Sequence, residues 1–341
     1  MKAMVIERVG EMVAGASPLR LVDLPRPEPG PYEILIQVTA CGVCHTELDE
    51  IEGRTPPPRL PVIPGHQVVG RVAAAGSHAG RFSKGDRVGV AWIFFSCGRC
   101  GHCTAGLENL CPEFRATGRD AHGGYAEYMT VHQDFAYPIP QVLEDAAAAP
   151  LLCAGAIGYR SMALAGLVNG RRLGLTGFGA SAHLVLKMVR KAYPDSRVYV
   201  FARSPGERHF ALDLGAVWAG DSTDVPPDPL HCIIDTTPAW TPVVAALKCL
   251  APGGRLVINA IRKETADRRV LLDMDYAEHL WMEKEIKSVA NVTRQDVRAF
   301  LDLAARIPII PEVETYDLQD ANKALTDLKQ RRIRGAKVLV I

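Results

Sequence analysis

The chain has 341 residues, enough for two domains whose cores need no disulfide support. Lys and Arg total 39 against 38 Asp and Glu, and a net charge of +1 argues against a polyanion such as nucleic acid as a partner. The longest runs without a charged residue, 146–159 and 173–186, reach 14 residues, too short to cross a bilayer, and Glu7 and Arg8 interrupt the place where a signal peptide needs its apolar stretch. A cytoplasmic protein with no membrane partner is the expectation.

In chain order, residues 1 to about 150 are rich in Gly and Pro and carry short β-like runs at 33–40, 68–75, 87–90 and 124–132, which predict irregular all-β structure. From about 153 the texture becomes βαβα: strand 172–176, helix 180–192, strand 197–201, helix 205–214, strand 230–234, helix 241–250, a turn at 251–254 and strand 255–260. That alternation predicts a doubly wound parallel sheet with helices on both faces, hence an α/β protein. Helices at 295–306 and 319–329 and a last strand at 336–341 follow. The expected domains are 1–152, 153–292 and a return segment, 293–341, that rejoins the first.

Nine cysteines in a reducing compartment point to metal or catalysis rather than disulfides. Cys97, Cys100, Cys103 and Cys111 fall within 15 residues, a spacing that folds four thiolates round one tetrahedral Zn²⁺ in a closed structural site. An iron–sulfur cluster needs a last gap of three residues, not seven, and a nucleic-acid ribbon needs more basic surroundings.

A second constellation is Cys44-His45-Thr46, Gly65-His66 and Leu151-Leu152-Cys153-Ala154-Gly155. Each piece alone reads as ordinary core. Together they offer two thiolates and an imidazole, which neutralise Zn²⁺ and leave a fourth position open for an alcohol or carbonyl oxygen. His78, His102, His122, His132, His183, His209, His231 and His279 show no ligand spacing.

Taken with Ala-Cys-Gly-Val-Cys-His-Thr (40–46), Pro-Gly-His (64–66), Gly-Asp-Arg-Val-Gly (85–89), Gly-Gly-Tyr-Ala-Glu-Tyr (123–128) and the C-terminal Gly-Ala-Lys-Val-Leu-Val-Ile, the chain resembles the zinc-dependent alcohol dehydrogenases of the medium-chain dehydrogenase/reductase superfamily over essentially its whole length. The resemblance implies an irregular β, chaperonin-10-like catalytic domain and a doubly wound Rossmann cofactor domain. It implies Cys44, His66 and Cys153 as catalytic zinc ligands, with Cys41 a neighbour, and Cys97, Cys100, Cys103 and Cys111 on a structural zinc. It places His45 near the cofactor pyrophosphate and gives the Thr46 hydroxyl the substrate proton. Three positions depart from the family pattern: Glu47 for the Asp that orients the ligand His, Asp49 for a relay His, and Gln67 for the Glu after the ligand His. Glu47 still offers a carboxylate, Asp49 can replace the imidazole as a catalytic proton carrier, and Gln67 removes a negative charge near the metal. A homodimer or homotetramer is expected.

The cofactor loop is Gly177-Phe178-Gly179-Ala180-Ser181-Ala182, a Gly-x-Gly-x-x-Ala between a strand and a helix, with the helix N-terminus placed for the pyrophosphate. Where NAD enzymes place an acid on the ribose, this chain has Ala202-Arg203-Ser204, with Arg208 a turn later, which favours NADP(H) over NAD(H). The resemblance also implies Arg334 as a pyrophosphate contact, against the plainer reading of a solvated charge in the basic run 329–334. Thr46, Asp49, Trp92, Ile93 and Phe94 are candidate pocket walls, suited to an uncharged alcohol or aldehyde. Competing readings are a zinc-free medium-chain reductase and a zinc-containing dinucleotide-binding protein whose catalysis is altered or lost.

Overall fold

The computed structural model describes residues 1–341 except Ala14, Pro308 and 331–334, so Arg334 lies outside the described residues. The chain packs as two units, Met1–Ala156 with Val292–Ile341, and Ile157–Asn291. Residues 153–156 thus fall in the first unit. They are held there because Leu152 lies over Gly89 and Gly155 over Phe300.

The spine of the first unit is the strand Glu33–Val43, whose Ile34, Ile36 and Val38 join a core with Val68, Val88 and Val131. One edge pairs antiparallel with Val68–Ala75. The other pairs first with Tyr128–His132 and then with Ala336–Val340, and further strands complete a seven-stranded sheet. The spine runs three residues beyond the 33–40 expected because Ala40–Val43 finds its partner at the far end of the chain. The strand expected from 124 starts only at Tyr128, since Gly123, Gly124 and Tyr125 instead donate to Ile63, Gly65 and Pro64 carbonyls. Those three bonds pin the loop that leads into His66.

The second unit holds a six-stranded, all-parallel sheet in the order Trp218–Gly220, Arg197–Phe201, Arg172–Thr176, Leu230–Asp235, Leu250–Ile258, Glu285–Ser288. In sequence order this is 3-2-1-4-5-6, the doubly wound arrangement whose direction reverses beside Arg172–Thr176, where such sheets take ligands at the strands' C-terminal ends. The turn expected at 251–254 is a bulge within one strand. Leu250 still pairs with Leu230 and Arg255 with Cys232, so the four residues between loop out without ending the ladder. One helical run, Asp145–Leu164, is long and apolar enough to cross a membrane by length and composition, but 61% of its apolar window is buried inside the protein, as in a core helix.

Candidate metal centres and dinucleotide site

The spine strand ends at Val43, and Cys44 then caps the helix His45–Ile51 in an extended conformation. Its sulfur accepts the Thr46 N–H at 3.4 Å, while Glu47 Oε2 accepts the Cys44 N–H at 2.8 Å, a reciprocal cap that fixes both side chains. Glu47 Oε1 lies 2.7 Å from His66 Nδ1, and both residues are buried. With Nδ1 against a carboxylate, His66 Nε2 faces two sulfurs, Cys153 Sγ at 3.3 Å and Cys44 Sγ at 3.6 Å. The Trp92 ring meets the His66 ring edge-on at 4.9 Å, closing that side with an apolar wall.

These donors fit a tetrahedral cation. Cys44, His66 and Cys153 offer ligand atoms all within 4.8 Å of one another, and bonds of about 2.0–2.3 Å to one ion require separations near 3.5–3.8 Å. The charges point the same way. The hydrogen bond with Cys153, burial and the charge of Glu47 push the Cys44 thiol well above its usual range. Burial opposes the charged form of His66, but Glu47 and Cys44 outweigh it and hold the imidazole pKa well above normal. Both shifts mark a cluster of negative character that favours bound positive charge, which a divalent cation supplies.

Cys97, Cys100, Cys103 and Cys111 also converge within 4.8 Å. Backbone N–H groups of Arg99 and Cys100 pull the Cys97 thiol down to about 7, as suits a thiolate ligand, whereas burial leads the causes that push Cys103 up to about 12. Cys41 is fully buried beside Gly65 and Tyr125, outside both clusters.

Among the remaining first-unit candidates, His45 is exposed and Thr46 half-buried. Asp49 is buried, its carboxylate accepting from Arg54 Nε at 2.5 Å. Gln67 is buried, its side chain packed against Gly42. Ile93 belongs to the core, and Phe94 packs partly against it.

In the second unit, Gly177 has φ +78°, and a side chain there would meet Thr236 Oγ1 at 2.8 Å, so the turn admits only glycine. Gly179 caps the helix Ala180–Ala192 with open space beside it and no side-chain cap, leaving the positive helix end to an anion. Ser181 Oγ accepts from Asn259 Nδ2 at 3.3 Å. Ala202 is buried at the end of its strand, and Ser204 caps the next helix with its side chain exposed. Arg203 is exposed and makes no side-chain hydrogen bond or ion pair among the described residues. Arg208 is occupied: it donates to the Ala202 and Arg203 carbonyls and to Asp221.

Two groups escaped the sequence reading. At the C-terminal ends of the central strands, buried Asp235 accepts from Thr176 Oγ1 at 2.5 Å and from Lys263 Nζ, and Lys263 also donates to Thr237 and Ala239 carbonyls. An acid ending the apolar run 230–234 was its only signal. Glu50, one turn past Glu47, is fully buried with neither carboxylate oxygen hydrogen-bonded to any of the described residues, and burial, then Glu47, pushes its carboxyl well above the carboxylate range. Nothing in the sequence separates it from a solvated helix acid.

A β-sheet unit that assembles an open Cys₂His cluster and a second, doubly wound unit with a glycine turn at its reversal point define a medium-chain dehydrogenase. Residues 30–141 match the family model described as alcohol dehydrogenase GroES-like domain. The chain is 44% identical over 346 residues to the probable alcohol dehydrogenase AdhA of Mycobacterium tuberculosis, covering 100% of this chain and 97% of that one. It is 31% identical over 332 residues to an alcohol dehydrogenase of Geobacillus stearothermophilus, covering 94% and 95%. The solved cinnamyl alcohol dehydrogenase SbCAD4 of Sorghum bicolor superposes with a TM-score of 0.84 at 28% identity, over 99% of this chain and 97% of that one. The chain belongs to the zinc-dependent alcohol dehydrogenase family of the medium-chain dehydrogenase/reductase superfamily, and it is an oxidoreductase for a small-molecule alcohol or aldehyde.

Proposed function

We propose that the enzyme interconverts an uncharged alcohol and its aldehyde, with NADP(H) preferred over NAD(H) and two Zn²⁺ per chain. The observation that carries the reading is the meeting of Cys44, His66 and Cys153 with Glu47 behind the imidazole. Cys44, His66 and Cys153 would hold the catalytic zinc, and Cys97, Cys100, Cys103 and Cys111 the structural one. When bound, zinc supplies the Lewis acidity that lowers the pKa of an alcohol oxygen, and the nicotinamide supplies the hydride acceptor.

The chain's own residues do the positioning and the proton work. Glu47 fixes the tautomer and direction of His66. The Thr46 hydroxyl, held beside Cys44 by the helix cap, takes the substrate proton, and Asp49, one turn on and braced by Arg54, carries it away. Trp92 excludes water from the imidazole side. His45, Gly177, Gly179, Ala180 and Ser181 bind the pyrophosphate. Arg203, exposed and without an acid partner, reads the 2′-phosphate, with Ala202 leaving room and Ser204 adding a hydroxyl; Arg208 braces the same strand end.

We place the enzyme in the cytoplasm, consistent with nine free cysteines, as a homodimer or homotetramer. The open sheet edge Glu285–Ser288, exposed along its length and preceded by exposed Trp281 and Met282, offers a surface for a second copy.

Metal analysis should find two Zn per chain, one of them readily chelated. Steady-state kinetics on an alcohol and aldehyde panel should give kcat/KM for NADPH at least about tenfold above NADH, and Ala202→Asp with Arg203→Ile should remove that preference. Equal values for the two cofactors, or a preference for NADH, would overturn the cofactor reading; one metal per chain would overturn the metal reading.

A further inference from the structure

Glu108 sits in the four-cysteine loop between Cys103 and Cys111, is buried, and is not among the residues that converge on the metal position. Its Oε1 accepts the Arg294 backbone N–H at 2.8 Å and Arg294 Nε at 3.0 Å, at the positive end of the helix Arg294–Arg306. The Arg294 guanidinium also lies over the Phe135 ring, 5.1 Å from its centroid. Six residues on, about 9 Å along the helix axis, the fully buried Phe300 presses on Gly155: a Cβ at 155 would lie 2.3 Å from Phe300 Cε1 and 2.5 Å from Cζ.

Gly155 closes the π-helical turn Leu151–Gly155, which carries Cys153. The other side of that turn rests on the sheet, where a Cβ on Gly89 would meet Leu152 Cδ1 at 2.8 Å. Cys153 is therefore clamped between a sheet floor and a helix, and Glu108 ties the start of that helix to the four-cysteine loop.

We propose that Glu108 is a positioning residue for the open metal site. By pinning the start of the helix it sets how closely Phe300 seats on Gly155, and so where the Cys153 sulfur points; a metal in the four-cysteine loop, by fixing Glu108, tightens the other site. The tolerances make such a path effective. A gap of about 0.5–1 Å forfeits a quarter to a half of a packing contact, and metal–sulfur bonds tolerate only about 0.2 Å.

The inference rests on both clusters binding metal, so its test keeps the two questions apart. The zinc-loaded protein, its Glu108→Gln variant and its Phe300→Leu variant are challenged with a chelator and a metallochromic dye. After stripping of the open site, the alkylation rate of Cys153 by iodoacetamide is read on its own peptide by mass spectrometry. Glu108→Gln should keep the chelator-resistant metal, release the other about tenfold faster and alkylate Cys153 several-fold faster; Phe300→Leu should do the same without touching the four-cysteine loop. Release and alkylation within twofold of the parent in Glu108→Gln, with the resistant metal retained, overturn the proposal. Should Glu108→Gln lose the resistant metal, Phe300→Leu decides, and unchanged values there overturn it. A parent protein that takes up only the four-cysteine metal refutes the two-zinc reading instead, and the Cys153 alkylation rates then decide the helix path by themselves.

Discussion

The two cysteine clusters reach similar compactness by opposite routes. The four-cysteine loop draws all its donors from residues 97–111, so closing it needs a short chain segment and little else. The open cluster takes Cys44 from a helix cap, His66 from a loop 22 residues later and Cys153 from a π-helical turn another 87 residues on. Its geometry is a product of the whole first unit: the Ala336–Val340 pairing that extends the spine to Cys44, the 123–125 bonds that pin the His66 loop, and the Gly89 and Phe300 contacts around Cys153. A local cluster should therefore fail by destabilising its loop, and a distributed one by losing chemistry while the fold survives.

The largest expected effect is at the distributed cluster. Cys153→Ser should lower kcat by about 10³-fold or more and the metal count from two to one, with far-ultraviolet circular dichroism and Tm little changed. Retained turnover would break the contrast at once. At the local cluster, Cys103→Ser should cost about 3 kcal/mol of stability in denaturant unfolding, because the loop loses the ion that closes it. If it unfolds no more readily than the parent, the loop is not metal-closed.

Glu47→Gln sharpens the comparison. Removing the carboxylate behind His66 should weaken metal binding at the open cluster by about 10–100-fold, measured by competition with a chelator, and leave the four-cysteine metal untouched. Asp49→Asn should reduce kcat by about tenfold and alter its pH profile at constant metal content, since its proposed role is proton transfer and not ligation. The smallest effect belongs to the rim of the local cluster. Arg99 and Glu113 form an exposed ion pair at 3.2 Å, and Arg99→Ala should leave the unfolding midpoint nearly unchanged, because the pair is solvated and the leading holds on the Cys97 sulfur are the backbone N–H groups of Arg99 and Cys100.

Legibility in the sequence follows the same division. The strands 68–75, 87–90, 172–176 and 197–201 and the helix 180–192 stand where their patterning put them, since a short apolar run and a period-3.6 stripe are local properties. The four-cysteine spacing is equally local. Where the reading slipped, a distant partner decided: the spine strand lengthens through the C-terminal strand, and the strand expected at 124 is delayed by the loop before His66.

By itself, the sequence determined the kinds of donors, the glycine turn at 177, the absence of an acid at 202 and the alternation that builds the parallel sheet. Only the tertiary structure decided that Arg208 is spent on backbone carbonyls while Arg203 is exposed, and that Glu108 reaches a helix nearly two hundred residues later. The physical reason is that residue chemistry and local periodicity are written along the chain, whereas the direction of a side chain and the identity of its partner are set by contacts whose two halves lie far apart in sequence and meet only when the core closes.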